Sequence, residues 1–193
     1  MNYGKTLAAI ALAALSVSAQ AADVSWNYAE LNVNRLTVDE IDGATFNGLG
    51  LDFSRAVNET YFVAGEATKL TDSYMGVDMS YHDVNINVGG RFTVAAGTDA
   101  YVMGGLGSTG VHAGLESGTQ SYWQVQTGVR SMVADNLEAG AYVAYQSAHH
   151  SSASDKIFGV EGRFFVTPKV SFSLQFEGTS DYKKTAVGVA YHF

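Results

Sequence analysis

Apolar side chains return at every second position in one segment after another of this chain. In "NGLGLDFS", Leu49, Leu51 and Phe53 share one face, and Gly48, Gly50, Asp52 and Ser54 share the other. The same reading sets Val84, Ile86, Val88 and Phe92 against Asp83, Asn85, Asn87 and Arg91. It sets Trp123, Val125 and Val129 against Gln124, Gln126 and Arg130, and Leu137, Ala141, Val143 and Tyr145 against Glu138, Gly140, Tyr142 and Gln146. Phe158, Val160 and Phe164 oppose Gly159, Glu161 and Arg163, and Phe172, Leu174 and Phe176 oppose Ser173, Gln175 and Glu177. A period of two is the geometry of a strand, whose side chains point alternately to opposite faces. The chain is therefore expected to be all-β.

Three strands read less cleanly. The first, from about Val24 to Leu36, changes parity near Tyr28; the third, Tyr61 to Lys69, has Tyr61, Val63 and Ala67 on its apolar face. The fifth, Asp99 to Gly110, is so rich in glycine that its faces stay unassigned. Turn signals fall into two alternating sets. One is tight, at Val57-Asn58-Glu59, Ala96-Gly97-Thr98, Asp135-Asn136 and Thr167-Pro168-Lys169; the other is looser and polar, at "TVDEID", "TDSYMG", "VHAGLESG", "SAHHSSAS" and "TSDYK". Between them lie ten strands joined as hairpins, with eight as the alternative. An even number returns both termini to one side. Ten-residue strands tilted by about 40° cover the apolar thickness of a bilayer. The expected architecture is a closed antiparallel up-and-down transmembrane barrel.

A soluble secreted barrel that carries a ligand alternates in the same way, with its apolar face inside. Lysine separates the two readings. Beyond the first twenty-odd residues the lysines are Lys69, Lys156, Lys169, Lys183 and Lys184, all read as lying in turns or near strand ends. A face in water would scatter lysine along the strands. The polar face instead carries Gly, Ser, Asn and Gln with isolated charges, as a confined lumen would. Phe53, Tyr61, Phe92, Tyr145, Phe164, Phe176 and Tyr191 fall near strand ends on the apolar face, where interfacial girdles form.

Residues 1–21 are expected to be a secretory signal peptide, with Lys5 in a short n-region, an apolar run from Leu7 to Val17, and Ala19-Gln20-Ala21 at the cleavage site. Residues 22–193 then form the barrel domain. No cysteine is present, so disulfides do not hold the fold. The formal net charge is -8, and the loss of Lys5 makes it more negative, which argues against a nucleic-acid partner. No cofactor, metal or catalytic residue is assigned. Adjacent His149 and His150 with Ser151, Ser152 and Ser154 suggest a hydrolase or metal site at most weakly, because neighbouring strand side chains point apart. Asp39, Glu40 and Asp42 read as a solvated acidic loop. Loops of about six to eight residues by this division are too short for the raised superstructure of a rim protease.

The lumen is more informative. Asp52, Arg91, Arg130 and Arg163 lie four or five residues ahead of tight turns, on strands running the same way, so they are expected at one depth. Glu138 follows the third tight turn and approaches the same layer, and Glu161 points inward two residues from Arg163. The inward glycines, Gly48, Gly50, Gly89, Gly128, Gly140, Gly159 and Gly188, are expected to leave room for water, with this charge layer as the constriction.

The C-terminal "AVGVAYHF" resembles the assembly signal of bacterial outer-membrane barrels, with an aromatic at the end and apolar residues at alternate positions before it. The resemblance falls on Val187, Val189, Tyr191 and Phe193. More broadly, the chain resembles the small outer-membrane barrels of the OmpA/OmpX-like and opacity types, and "VSWNY" and "GVRS" resemble a ten-stranded subfamily of short barrels. That resemblance implies export through the periplasm to the outer membrane of a Gram-negative bacterium. It also implies contact with outer-membrane lipid and lipopolysaccharide, insertion by the barrel assembly machinery and a monomeric state. The implied function is a non-enzymatic narrow or gated pore, or a structural or surface-interaction barrel; a lipid A-modifying enzyme at the outer rim is the alternative. Deletion of Phe193 is expected to leave a periplasmic, protease-sensitive chain, whereas a change at His150 does not. Normal amounts of heat-modifiable protein in the deletion would contradict this reading of the signal.

Overall fold

The structure, a computed structural model, describes residues 23–38, 44–74, 77–149 and 153–193. The expected signal peptide, the acidic residues Asp39, Glu40 and Asp42, and His150, Ser151 and Ser152 lie outside the described residues. Ten strands follow one another: β1 (Tyr28–Val38), β2 (Thr45–Ala56), β3 (Tyr61–Tyr74), β4 (Val77–Ala95), β5 (Thr98–Ala113), β6 (Glu116–Ala134), β7 (Leu137–Ala148), β8 (Ser154–Thr167), β9 (Val170–Gly178) and β10 (Tyr182–His192). Each pairs antiparallel with its sequence neighbours, and β1 pairs with β10 from Tyr28↔His192 to Val38↔Tyr182, so the sheet closes without a free edge.

The alternation resolves into an inside-out molecule. Leu31, Val33, Leu51, Ile86, Val88, Leu106 and Val187 point outward and are exposed, as are all seven aromatics read as girdle residues. Glu30, Asn32, Asn34, Thr68, Asn87, Arg130 and Glu138 are buried inside. This arrangement is the reverse of a soluble carrier and suits a lipid surround. The unassigned faces of β5 are settled by Asp99 and Tyr101, which are buried inward, and by Val102 and Leu106, which are exposed outward.

Several boundaries differ from the sequence reading. The first strand begins at Tyr28, and residues 23–27 precede it without strand structure. The segments read as the loops "TDSYMG" and "VHAGLESG" are largely strand: β3 runs to Tyr74, β4 starts at Val77, and β5 and β6 are joined by Gly114 and Leu115 alone, with Gly114 at φ 60. On that side of the barrel the wall rises, since residues 116–121 of β6 pair with β5 but have no β7 partner. The supposed loop "TSDYK" shrinks to residues 179–181, and Lys184, read as lying in a turn or near a strand end, points into the barrel half-buried.

The inward glycines do not leave open space. A Cβ on any of the seven would meet a neighbour: Phe62 at Gly89, Tyr101 at Gly128, Tyr142 at Gly159, Asn32 at Gly50, Glu161 at Gly140, Glu30 at Gly188, and the β3 backbone at Gly48. Phe62↔Gly89, Tyr101↔Gly128 and Tyr142↔Gly159 are directly paired positions on adjacent strands. Each of these three rings therefore lies down over the glycine opposite, which is how large rings fit in a narrow barrel. Gly48→Ala tests the tightest contact. Its Cβ would overlap the Lys69 carbonyl oxygen, an atom that cannot swing away. We expect a loss of roughly 1–3 kcal/mol on unfolding in detergent. Gly118→Ala, with nothing within 4 Å of the added carbon, should fall within about 0.5 kcal/mol of the parent.

Candidate functional site

The lumen is organised by what precedes β1. Residues 23–27 turn into the barrel at the tight-turn end, and Val24 and Trp26 are buried there. The Trp26 ring lies 4.3 Å from Phe62 and 5.4 Å from Tyr101, centroid to centroid. Its Nε1–H donates to Asp99 Oδ2 at 2.8 Å, and its carbonyl accepts from the Ser54 hydroxyl at 2.9 Å. Asn27 accepts from the Ala56 amide at 2.9 Å, and Ser25 Oγ lies 3.0 Å from His192 Nδ1. The far side of that imidazole meets Ser171 Oγ at 2.8 Å. Thus β2, β5 and β10 hold this segment across the barrel mouth, and β9 braces the β10 imidazole.

The arginines predicted for a charge layer stand around it. Arg130 is 4% exposed and forms its closest ion pair with Glu138 at 2.6 Å, with Glu161 at 3.5 Å. Its Nη2 donates to the Ser25 carbonyl at 3.0 Å, and its guanidinium lies 4.6 Å from the Trp26 ring centroid. Arg163 pairs at 2.8 Å with Glu30 and stacks on Tyr28 at 4.2 Å. Arg91 lies at 3.6 Å from Asp99 and donates through Nε to the Glu59 carbonyl. The structure therefore brings Arg91, Arg130, Arg163, Glu138 and Glu161 to one end of the lumen. It does not bring Asp52 to any of these arginines. Asp52 stands in register between Glu30 and Glu66, and Asn32 Nδ2 donates to it at 2.7 Å.

Sequence reasoning missed Glu30, Asp99, Trp26 and Tyr28 in this layer, and Glu66 with Lys184 above it. Glu30 and Trp26 were present in the parity change near Tyr28. Lys184 Nζ lies 2.7 Å from Glu66 Oε1. β10 and β3 are separated by β1 and β2, so this pair spans the lumen.

Above Trp26 lies a cavity of about 440 Å³. Trp26, Phe62, Tyr101 and Arg130 line its floor, and it reaches Val38, Met79, Val111 and Asp181 at the opposite rim. Near that rim Leu36, Ala44, Phe46 and Leu70 form a buried apolar cluster on the inner wall, which breaks the polar-inside pattern. His149 is exposed at the same end, where its amide donates to the Ser121 carbonyl. Lining a closed cup, these groups can bind, exclude or pass small solutes. The outward apolar band, C-terminal residues included, faces away from it: Val187, Val189, Tyr191 and Phe193 are all about half exposed.

The family described as outer membrane protein beta-barrel domain matches residues 7–193. No curated protein matches the chain. Among solved structures it is similar to the NanC porin, at 6% identity over 86% of this chain and 100% of that one, with a TM-score of 0.56. It is also similar to Ail, the attachment invasion locus protein of Yersinia pestis, at 12% identity, 89% and 100% coverage and a TM-score of 0.40. Neisserial surface protein A matches at 12% identity, 86% and 95% coverage and a TM-score of 0.44.

Proposed function

The chain belongs to the outer membrane protein β-barrel domain family, and from that premise we propose that it is a narrow, non-enzymatic outer-membrane pore held closed by its own N-terminal segment. In this reading the tight turns and both chain termini of the barrel domain face the periplasm, and the rim bearing Asp181 and Met79 faces the exterior. The observation that carries it is the seat of Trp26. A ring packed tilted against Phe62 and edge-on to Tyr101, clamped by Asp99 and covered by Arg130, lies across a barrel that otherwise holds a continuous cavity. A ten-stranded barrel is little wider than the eight-stranded ones whose side chains fill them. One inserted segment is therefore enough to close it. The segment is held by ring contacts, hydrogen bonds and two cation–π contacts rather than by strand pairing, so its release leaves the barrel ladder intact.

The cysteine-free chain suits an accessibility test. Gln126→Cys places a thiol on the cavity wall, above the floor, where Gln126 now donates to the Tyr101 hydroxyl. A small membrane-impermeant thiol reagent added to whole cells should label it, and should not reach Ser25→Cys behind Trp26. Labelling of both from outside, or of neither, would overturn the closed outward-open cup. The rival reading, an enzyme acting on lipid at the rim, is tested by the double change His149→Ala and His150→Ala with lipid A analysis. We expect no change in lipid A.

A further inference from the structure

The cavity walls above the arginine layer carry more negative charge than the chain neutralises. Asp52, Glu66, Asp83 and Glu177 all line this chamber, and Lys184 is the one ammonium set among them. Lys184 forms an ion pair with Glu66 and stands directly opposite Glu177 on β9. Glu177 is held instead by the hydroxyls of Tyr142 and Tyr182, and Asp83 by those of Tyr122 and Thr109. Asp52 takes one hydrogen bond from Asn32; its Oδ1 is shut away from solvent and accepts none among the described residues. Four carboxylates thus share a confined space with one ammonium, which bonds Glu66 and stands opposite Glu177 in register. Like charges in a low-dielectric cleft repel one another and concentrate cations from solution.

The rings give the chamber a second property. Tyr122 lies over Gly107 and Tyr142 over Gly159, so closely that a Cβ there would overlap the rings. A ring laid flat on the wall turns its free face to the lumen. Each hydroxyl donates to a carboxylate, which fixes the ring and leaves its face unobstructed by its own polar atom. The same barrel already seats cations on aromatic faces lower down, Arg163 on Tyr28 and Arg130 on Trp26. Lys184 shows further that an alkylammonium fits beside a carboxylate at this level.

We propose that the vestibule binds a small organic cation, an alkylammonium or diamine, with its charge between the faces of Tyr122 and Tyr142 and the carboxylates of Asp52, Asp83 and Glu177. The cavity volume lies within the range of small-molecule sites. Lys184 acts as the internal competitor. The proposal rests on the outward-open cup of the preceding reading but requires no conduction.

The test is calorimetric titration of the full chain in detergent at fixed ionic strength, with 1,5-diaminopentane and tetramethylammonium as probes and pentanedioate as the anionic control. Saturable binding of one cation per barrel is expected, with none of the dianion. Asp83→Asn with Glu177→Gln should weaken it by about tenfold or more, and Tyr142→Leu by several fold. Lys184→Met should strengthen it, a change that misfolding cannot imitate. Asp135→Asn, an exposed turn carboxylate at the other end, should leave it unchanged. Absence of saturable binding to the parent would overturn the proposal. So would equal affinity in all variants, or weaker binding in Lys184→Met. Binding without any conductance would remove the pore and keep this site; conductance without binding would do the reverse.

Discussion

Arg130→Ala is expected to lower the stability of the detergent-solubilised barrel by roughly 3–5 kcal/mol, the range for removing one partner of a buried ion pair. The loss has four parts. Glu138 is 1% exposed and would keep a buried carboxylate with its nearest cation gone. Glu161 would lose the same guanidinium. The Ser25 carbonyl would lose a charged donor, and the Trp26 ring the cation above it. The first two parts act on the barrel and the last two on the inserted segment. Thermal unfolding should therefore shift, and the closed state should weaken at the same time. Arg35→Ala is the control, an exposed outward side chain near the opposite rim, and should do neither. Melting and conductance of Arg130→Ala identical to the parent's would remove any gating role from this layer.

The barrel was legible because lipid outside and a packed lumen inside demand opposite chemistry from consecutive residues. Leu49, Gly50, Leu51 and Asp52 can hardly be read otherwise. What was not legible follows from the same physics. Val24 and Trp26 look like the start of an alternating strand, since an inserted segment also alternates. Its apolar side, however, faces the lumen, whereas in β1 the apolar residues Leu31 and Val33 face outward. The parity change near Tyr28 is the mark of that crossing from plug to wall. Leu36, Phe46 and Leu70 break the polar-inside rule for a reason no single strand reveals, namely that they meet one another across β1, β2 and β3. Lys184 read as a strand-end lysine because it directly follows "TSDYK", and its partner Glu66 is 118 residues away in sequence. Glycine was read as space. It is instead the seat of the ring on the neighbouring strand, a pairing visible only once register is known. Asp52 shares the depth rule of the arginines but stands beside Asn32, Glu30 and Glu66, because neighbouring strands decide a partner and depth alone does not.

Trp26→Ala is expected to open the pore. The substitution deletes the ring contacts to Phe62 and Tyr101, the hydrogen bond to Asp99 and the surface on which Arg130 lies. Truncating a buried aromatic removes about 3–5 kcal/mol of interaction. If only 1.4 kcal/mol of that bears on the balance between seated and released segment, the open population rises tenfold. The strand ladder is untouched, so the variant should still fold and remain heat-modifiable. Single-channel recording of parent and Trp26→Ala in planar bilayers tests the closed-pore account most directly. It predicts a parent that is silent or opens rarely, and a variant with frequent, long-lived openings. A folded Trp26→Ala barrel as silent as the parent, or a parent already steadily open, would contradict it.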